Sequence, residues 1–407
     1  MLSALPPLSI YLHLPWCVQK CPYCDFNSHT AGTGTPGDYK ARYVAALIAD
    51  MAAESARAGD RPIESVFLGG GTPSLFSAAQ IGELLAALRA SFRLRDGAEV
   101  TLEANPGTLE RDRLSGYREA GVNRLSLGAQ SFDDGSLARL GRIHGVAEIF
   151  AAFDDALRAG FDSINLDLMY ALPGQTLGMA LADLRSAIRL GPQHLSWYQL
   201  TLEPNTVFHA RPPADLPDDD LCASIESRGY RLLGDAGYEQ YETSAFAVPG
   251  FRCRHNLNYW QFGDYLAIGA GAHGKITQDD GSIWRYRKPA HPQSYMQAAS
   301  AAGAGEELRR LDAADLAFEF MLNALRLSDG FDADDFRRRT GQPLDVVAGR
   351  LQQAMALGLM EPPQGGRWRP SARGRRFQND LQALFLPDIA VPEPRPADLI
   401  HKSGVSL

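Results

Sequence analysis

The sequence lacks the features of a membrane, secreted or nucleic-acid-binding protein. It has no run of 18 apolar residues that could form a transmembrane helix. No Lys or Arg precedes Lys20, and Pro6 and Pro7 interrupt the apolar start, so we expect no secretory signal. The 40 Lys and Arg residues against 48 Asp and Glu give a net charge of −8, without the basic excess that attracts polyanions. These absences predict a soluble cytoplasmic protein with no nucleic-acid partner.

Cysteine is also scarce, but it is unevenly distributed. Of the five cysteines, three lie within eight residues as Cys17, Cys21 and Cys24. In a reducing compartment such a cluster indicates a metal or redox site rather than a disulfide framework. This spacing can bind three irons of one cubane cluster and leave the fourth iron open. The alternatives are a zinc knuckle completed by a residue such as His29, or cysteines that are only part of the core.

The first half of the 407-residue chain alternates short β-rich runs with longer helical patterns. Every gap between the runs leaves room for a crossover helix, which parallel strands require. One such helix begins with a capping box of Ser77 and Gln80 and ends near Ser91. The pattern predicts an incomplete parallel (β/α)6 barrel, with an open doubly wound sheet as the alternative. The predicted strands are Ile10–Leu14, Ser65–Leu68, Val100–Ala104, Arg124–Ala129, Ser163–Leu168 and His194–Leu200.

Polar or glycine-rich motifs follow five of these six strands. Because the carboxyl ends of parallel strands meet at one rim, we expect the motifs to surround a single site. Consecutive glycines could expose backbone N–H groups to a ligand there, although a tight strand-to-helix turn would also need them. The polar residues could instead form structural salt bridges or hydrogen bonds between loops. The motifs are the cysteine cluster, Gly69–Thr72, Glu103, Gln130 and Asp167.

The second half of the chain changes in pattern. A helix is predicted over Asp218–Ala236, and residues 254–274 are predicted to be strand and loop beside the barrel. From Glu306 to Phe385 the chain reads as helical with one hairpin at Gly365–Gly366, which predicts a winged-helix-like domain. Residues 306–385 hold 12 Arg and no Lys against 12 Asp and Glu, so their charges cancel and DNA binding is disfavoured. The predicted divisions are a barrel (1–215), an extension (216–305), the winged-helix-like domain (306–386) and a disordered tail (387–407).

The cysteine spacing, with Tyr23 immediately before the last cysteine, resembles the signature of the radical S-adenosylmethionine (SAM) superfamily. The resemblance implies a 4Fe-4S cluster on Cys17, Cys21 and Cys24 whose remaining iron binds SAM. It also implies that an electron, from a donor such as flavodoxin or ferredoxin, cleaves SAM to a 5′-deoxyadenosyl radical.

Within that superfamily, the chain is similar to the oxygen-independent coproporphyrinogen III oxidase group and there to its HemW-type heme chaperones. The resemblance extends over nearly the whole chain and is carried by the segments Ile10–Cys17, Cys21–Ser28, Gly70–Pro73, Leu102–Pro106, Asn123–Ser131 and Leu172–Thr176. Ala171 and Ala267 depart from it, since the family usually has glycine there. The SAM contacts that the resemblance implies are Tyr11, Tyr23, Gly70, Gly71, Thr72, Glu103, Gln130, Arg142 and Asp167.

Three features favour a chaperone over an oxidase. Phe26 stands where the resemblance implies a further cysteine in the oxidases, and only nine residues precede the first predicted strand. The segment His255–Trp260 resembles the HNxxYW motif of the chaperones. The heme candidates are therefore His255, Tyr259 and Trp260, because imidazole can ligate heme iron and aromatic rings can cover the macrocycle. The alternative for His255 is a hydrogen-bonded histidine in a packed aromatic segment, with His13 and His273 as further candidates.

The resemblance thus implies a protein that binds heme and passes it to an acceptor protein, membrane-associated or not. The alternative is a radical SAM enzyme of porphyrin metabolism such as the oxidase. No catalytic residue can be assigned from the sequence.

Overall fold

A computed structural model describes residues 5–30, 38–108, 111–300 and 306–387. Within these ranges, twelve strands form one mixed sheet with the spatial order β12-β11-β10-β9-β1-β2-β3-β4-β5-β6-β8-β7. The strands are β1 (Leu8–Leu14), β2 (Ile63–Gly70), β3 (Leu94–Ala104), β4 (Arg124–Gln130), β5 (Ser163–Tyr170), β6 (His194–Gln199), β7 (Glu239–Glu242), β8 (Ala245–Ala247), β9 (Asp264–Ile268), β10 (His273–Thr277), β11 (Ile283–Arg287) and β12 (Glu307–Arg310).

The six predicted strands are confirmed as β1 to β6, which lie side by side and pair in parallel. In β1, Leu12 pairs with Leu68 of β2, and the two strands keep one register from Ser9 to Leu14, after a shift between Leu8 and Ser9. The partial radical SAM barrel predicted from the sequence is therefore the centre of the sheet. The helices that join or follow these strands are α1 (Tyr39–Ala58), α2 (Ala78–Ser91), α3 (Arg111–Ala120), α4 (Asp134–Arg139), α5 (Val146–Arg158), α6 (Leu177–Leu190), α7 (Val207–Ala210) and α8 (Asp219–Asp235).

Local sequence signals define the crossover helices. Helix α2 begins where Ser77 and Gln80 form the predicted capping box, in which each side chain accepts the other residue's backbone N–H. Its buried face is apolar, as the helical spacing predicts, and it covers the outer side of the sheet. The buried residues of α2 are Ile81, Leu84, Leu85 and Leu88.

The segment 254–274 differs from its prediction of strand and loop. Arg254–Trp260 is a helix, α9, and β9 pairs in parallel with β1, so that the sheet continues past its first strand. The N-terminus of α9 is stabilised from far away in the sequence, because Glu99 of β3 accepts the backbone N–H groups of Arg254 and His255. This distant cap has no local sequence signal.

The C-terminal helices pack around a second apolar cluster that includes Phe320, Phe336 and Leu351. The predicted hairpin at Gly365–Gly366 is present, with Gln364 bridged to Arg367. The prediction of helix from Glu306 was wrong at its start, because β12 pairs with β11 and belongs to the main sheet. The remaining helices are α10 (Pro292–Ser300), α11 (Ala313–Ala324), α12 (Ala333–Thr340), α13 (Ala348–Ala356), α14 (Ala372–Arg376) and α15 (Gln378–Ala383).

Two predictions about the chain as a whole have different outcomes. The proposed tail falls outside the described residues from 388 onward. In the ranges that the structure covers, no helix is both long enough and apolar enough to cross a membrane.

Ala171, which replaces a glycine usual in the family, has a backbone φ of +59°, in the left-handed region that favours glycine. We expect Ala171→Gly to raise the free energy of unfolding by about 0.5–1 kcal/mol by relieving this strain. Chemical denaturation of both proteins measures the difference. Ala267→Gly is the control: Ala267 lies buried in β9 without a positive φ, so its replacement should destabilise the protein. Equal destabilisation by both substitutions would contradict the argument.

Candidate functional site

The carboxyl ends of β1 to β6 surround a cavity of about 360 Å³. In parallel barrels, functional residues lie at this rim, where the carboxyl ends of the strands meet. All but one of the twelve residues predicted to hold the cluster or SAM line it, although they come from separate strands and loops. The residues that line it are Cys17, Cys21, Tyr23, Cys24, Gly70, Gly71, Thr72, Glu103, Gln130, Arg142 and Asp167.

The three cysteines lie half-buried on the loop after β1, where the backbone N–H of Cys24 donates to the carbonyl oxygen of Cys21. Burial raises the pKa of the Cys17 and Cys24 thiols, so iron binding must supply the energy that holds them as thiolates. Two donors already point at sulfur: Thr72 Oγ1 lies 3.6 Å from Cys17 Sγ, and Arg142 Nη1 lies 3.6 Å from Cys21 Sγ. The loop is therefore suited to negatively charged sulfur.

The arrangement of the three cysteines also indicates whether a single metal ion or a cluster fits this loop. Among the described residues, no three His, Cys, Asp or Glu side chains are placed to hold a single metal ion. Three cysteines that each bind a different iron of one cubane need no common ion between them. The donor set, three thiols without a fourth protein ligand, thus fits an iron–sulfur cluster with one open iron.

Arg142 is a half-buried cation that lines this site. Its Nη2 donates to the carbonyl oxygen of Gly128 at 2.9 Å, which fixes the guanidinium beside Cys21. Its Nε is buried without a hydrogen-bond partner among the described residues. A fixed positive charge next to a thiol favours the thiolate and hence a bound cluster.

Two carboxylates, Glu103 of β3 and Asp167 of β5, line the same cavity. Glu103 accepts the backbone N–H of Gly70 at 3.1 Å but pairs with no cation in the described part of the chain. Burial, and then repulsion from Asp167, raise the pKa of Glu103 to about 8. Asp167 accepts hydrogen bonds from Ser126 and Asn165, and burial raises its pKa as well. Neither carboxylate forms an ion pair among the described residues, which fits a ligand that carries an ammonium group and hydroxyls.

The glycine segment after β2 differs from the prediction that its N–H groups face a ligand. The N–H of Gly70 donates to Glu103, that of Gly71 to Leu14, and that of Thr72 to Trp16. These donors are engaged within the protein. A Cβ at Gly71 would lie 2.6 Å from the carbonyl oxygen of Trp16, so the glycines allow close packing against the cysteine loop.

Gly70→Ala should therefore destabilise the fold and not only the ligand site. Gly70 has a φ of +115°, and an added Cβ would lie 2.4 Å from the ring of His13. Gly97→Ala is a matched control, because Gly97 also has a positive φ, +68°, but has open space around it. We expect Gly97→Ala to cost about 1 kcal/mol and Gly70→Ala roughly 2–4 kcal/mol in the free energy of unfolding. Equal losses in denaturant unfolding would contradict the steric argument.

Gln130 ends β4 with a φ of +68°, and its Oε1 accepts the hydroxyl of Tyr198 at 3.0 Å. Tyr198 lines the cavity from β6 and is not among the residues predicted from the sequence. The predicted rim residues lie at the ends of five strands only. Its position near the end of the sixth predicted strand could have identified Tyr198, because each of the other five strands contributes a polar group at its carboxyl end.

A second cleft, of about 470 Å³, adjoins the first cavity and shares Phe26, Gly70 and Glu103 with it. Tyr11, predicted to contact SAM, lines this cleft and not the first cavity. Tyr259, one of the heme candidates, also lines it. Both tyrosines therefore line the neighbouring cleft and not the cavity that contains the cysteine loop.

The other two heme candidates do not reach either cavity. His255 is 2% exposed; its Nδ1 is hydrogen-bonded to Ser65 Oγ at 3.0 Å and its Nε2 to Tyr259 Oη at 3.2 Å. Burial lowers its pKa to about 3. Trp260 packs beneath Arg326, whose guanidinium carbon lies 4.2 Å from the ring centroid. As an iron ligand His255 does not fit this structure, because both of its ring nitrogens are engaged in the barrel interior.

Comparison with known proteins agrees with this architecture. The Radical SAM superfamily matches residues 11–187, and the HemN C-terminal domain matches residues 311–386. The heme chaperone HemW of Escherichia coli is 50% identical over 382 residues, which cover 94% of this chain and 99% of that protein. The heme chaperone HemW of Haemophilus influenzae is 48% identical and covers 94% of this chain and 98% of its own length.

Among solved structures, coproporphyrinogen III oxidase (HemN) from Escherichia coli, described as a radical SAM enzyme, has a TM-score of 0.78 and 25% sequence identity. The match covers 94% of this chain and 90% of that one. The structural likeness thus includes the barrel, the extended sheet and the C-terminal unit. Together with near-complete coverage at 50% identity, it shows that the chain belongs to the HemW family of the radical SAM superfamily.

Proposed function

We propose that this protein binds heme and transfers it to an acceptor protein, and that its barrel cavity holds a 4Fe-4S cluster and SAM. The observation that carries the proposal is the near-full-length similarity to proteins named heme chaperones. The site is in keeping with it, since the three thiols and the unpaired carboxylates meet in one cavity.

In this proposal, Cys17, Cys21 and Cys24 bind three irons of the cluster. When bound, the cluster supplies one-electron chemistry to SAM. Arg142 holds its positive charge beside Cys21, and Thr72 donates to Cys17, so both groups stabilise the thiolate form.

SAM would take the remaining part of the cavity. Glu103 has no cation partner and receives the ammonium group, while Asp167, held by Ser126, receives ribose hydroxyls. Gln130 is oriented by Tyr198 and can bond the ligand through its amide nitrogen. Tyr23, which lines the cavity beside the cysteines, would shield the bound ligand from water.

The proposed partners are heme, an acceptor protein and a one-electron donor such as flavodoxin or ferredoxin. Coproporphyrinogen decarboxylation is the second candidate, because the solved oxidase shares the fold. Phe26 weighs against it: this side chain is 59% exposed and borders both cavities at the position where the oxidases carry a further cysteine.

Parallel assays on the anaerobically reconstituted protein test the proposal. We expect saturable hemin binding, transfer of the bound heme to a heme-free acceptor protein, and no conversion of coproporphyrinogen III. Turnover of coproporphyrinogen III without specific hemin binding would overturn the proposal in favour of the oxidase.

A further inference from the structure

A histidine that binds heme iron must be reachable and must have a free ring nitrogen. Eight of the nine histidines lie in the described ranges. Both ring nitrogens are hydrogen-bonded in His13, His144, His194 and His255. One ring nitrogen is engaged in His29, His209 and His291. His273 alone in these ranges is exposed and makes no side-chain hydrogen bond.

His273 also differs in its surroundings, because it lines the second cleft at the start of β10. Aromatic side chains form much of the wall around it. Tyr259 and Tyr265 contact each other edge to face at 4.2 Å between centroids, and Phe26 is 59% exposed at the cleft's border with the first cavity. A planar apolar macrocycle is the kind of ligand that such walls accommodate.

The charge beside the cleft favours a ligand with carboxylates. Arg287 of β11 pairs directly with His273 across the two strands. Its partner is Glu307, and both side chains are exposed, by 55% and 68%. Because exposed ion pairs contribute little stability, a carboxylate of a ligand can replace Glu307 at this arginine. Heme combines an apolar ring with two propionates at its edge. It therefore matches both the aromatic walls of the cleft and the arginine beside it.

We infer that His273 is the protein ligand to heme iron, with the macrocycle in the second cleft against Tyr265 and Phe26 and a propionate at Arg287. This inference rests on the proposed heme function and assigns its site. It gives His255 a supporting position: its Nε2 hydrogen bond holds Tyr259 in the cleft wall. It also places the heme next to the cavity of the cysteine loop, because the two share Gly70 and Glu103.

Titration of the reconstituted full-length protein with hemin and, separately, with iron-free protoporphyrin IX tests the assignment. For His273→Ala we expect a shifted Soret band and roughly tenfold or greater loss of hemin affinity, since an iron ligand is removed. Protoporphyrin IX affinity should change less than about twofold, because the aromatic walls remain. His291→Ala is the matched control: His291 is also exposed but does not line the cleft, so both affinities should persist.

Free imidazole added to His273→Ala should restore the wild-type Soret band. A wild-type spectrum and hemin affinity in His273→Ala would overturn the assignment while leaving the heme function intact. Equal loss of hemin and protoporphyrin IX affinity would also overturn iron ligation, since it would show damage to the cleft. Absence of hemin binding by the wild-type protein would overturn the proposed function itself, and the assignment with it.

Discussion

Cys21→Ala should abolish the visible absorbance of the reconstituted iron–sulfur cluster and, with it, SAM binding. Cys21 lies between the other two cysteines in the loop, and Arg142 Nη1 points at its sulfur. Without this thiolate one iron loses its protein ligand, and the guanidinium loses the negative charge that it faces. Anaerobic absorption spectroscopy and iron quantification measure the loss, which we expect to be at least about tenfold in bound iron.

Cys222→Ala is the control for this prediction. Cys222 is a buried cysteine of α8 outside the cavity, and among the described residues its sulfur bonds the carbonyl oxygen of Pro217. Its substitution should leave the cluster spectrum unchanged. Full cluster occupancy in Cys21→Ala, or equal loss in both variants, would contradict the assignment of the loop as the cluster site.

The central fold was predictable because its signals are local. Each of the six parallel strands is a short apolar run between turn signals, and α2 begins with a capping box that can be read from Ser77 and Gln80 alone. Helix α9 and strand β12 were missed because distant contacts define them. Glu99 stabilises the start of α9 over 155 residues of sequence, and β12 becomes a strand by pairing with β11.

The site was predictable to a similar extent and for a related reason. In a parallel barrel, strand order brings the carboxyl ends together, so the motifs after β1 to β5 meet whatever the details of the loops. The contacts and burial of individual side chains could not be predicted from strand order. The motif at His255–Trp260 predicted a ligand, yet the imidazole of His255 lies between Ser65 and Tyr259 with no free nitrogen. The pKa of Glu103 is likewise raised first by burial within the fold and then by Asp167, 64 residues away in the sequence.

The second large expected effect is on SAM affinity, in the variant Glu103→Gln. The variant loses a charge-assisted hydrogen bond to the ammonium of SAM, worth about 1.5–3 kcal/mol, so SAM affinity should fall about 10- to 100-fold. In the wild-type protein the carboxyl group must be ionised to form this bond. Because its pKa is about 8 without ligand, wild-type affinity should rise as the pH approaches 8, and the variant should lack this rise.

The same substitution should stabilise the protein without SAM. The folded-state pKa of Glu103, about 8, lies above its ordinary value of 4.5, so the folded state holds the proton more tightly than the unfolded state. The stability contributed by this proton is fully present below pH 4.5 and is lost as the pH rises through 8. Thermal unfolding of the SAM-free protein should therefore show a loss of Tm with rising pH that is smaller in Glu103→Gln. Glu64→Gln, a change in a partly exposed ion pair with Arg95 outside the cavity, should alter neither quantity. A variant that loses both SAM affinity and SAM-free stability would show instead that Glu103 is a structural residue, since a ligand-binding carboxylate held without a cation must oppose folding while it favours binding.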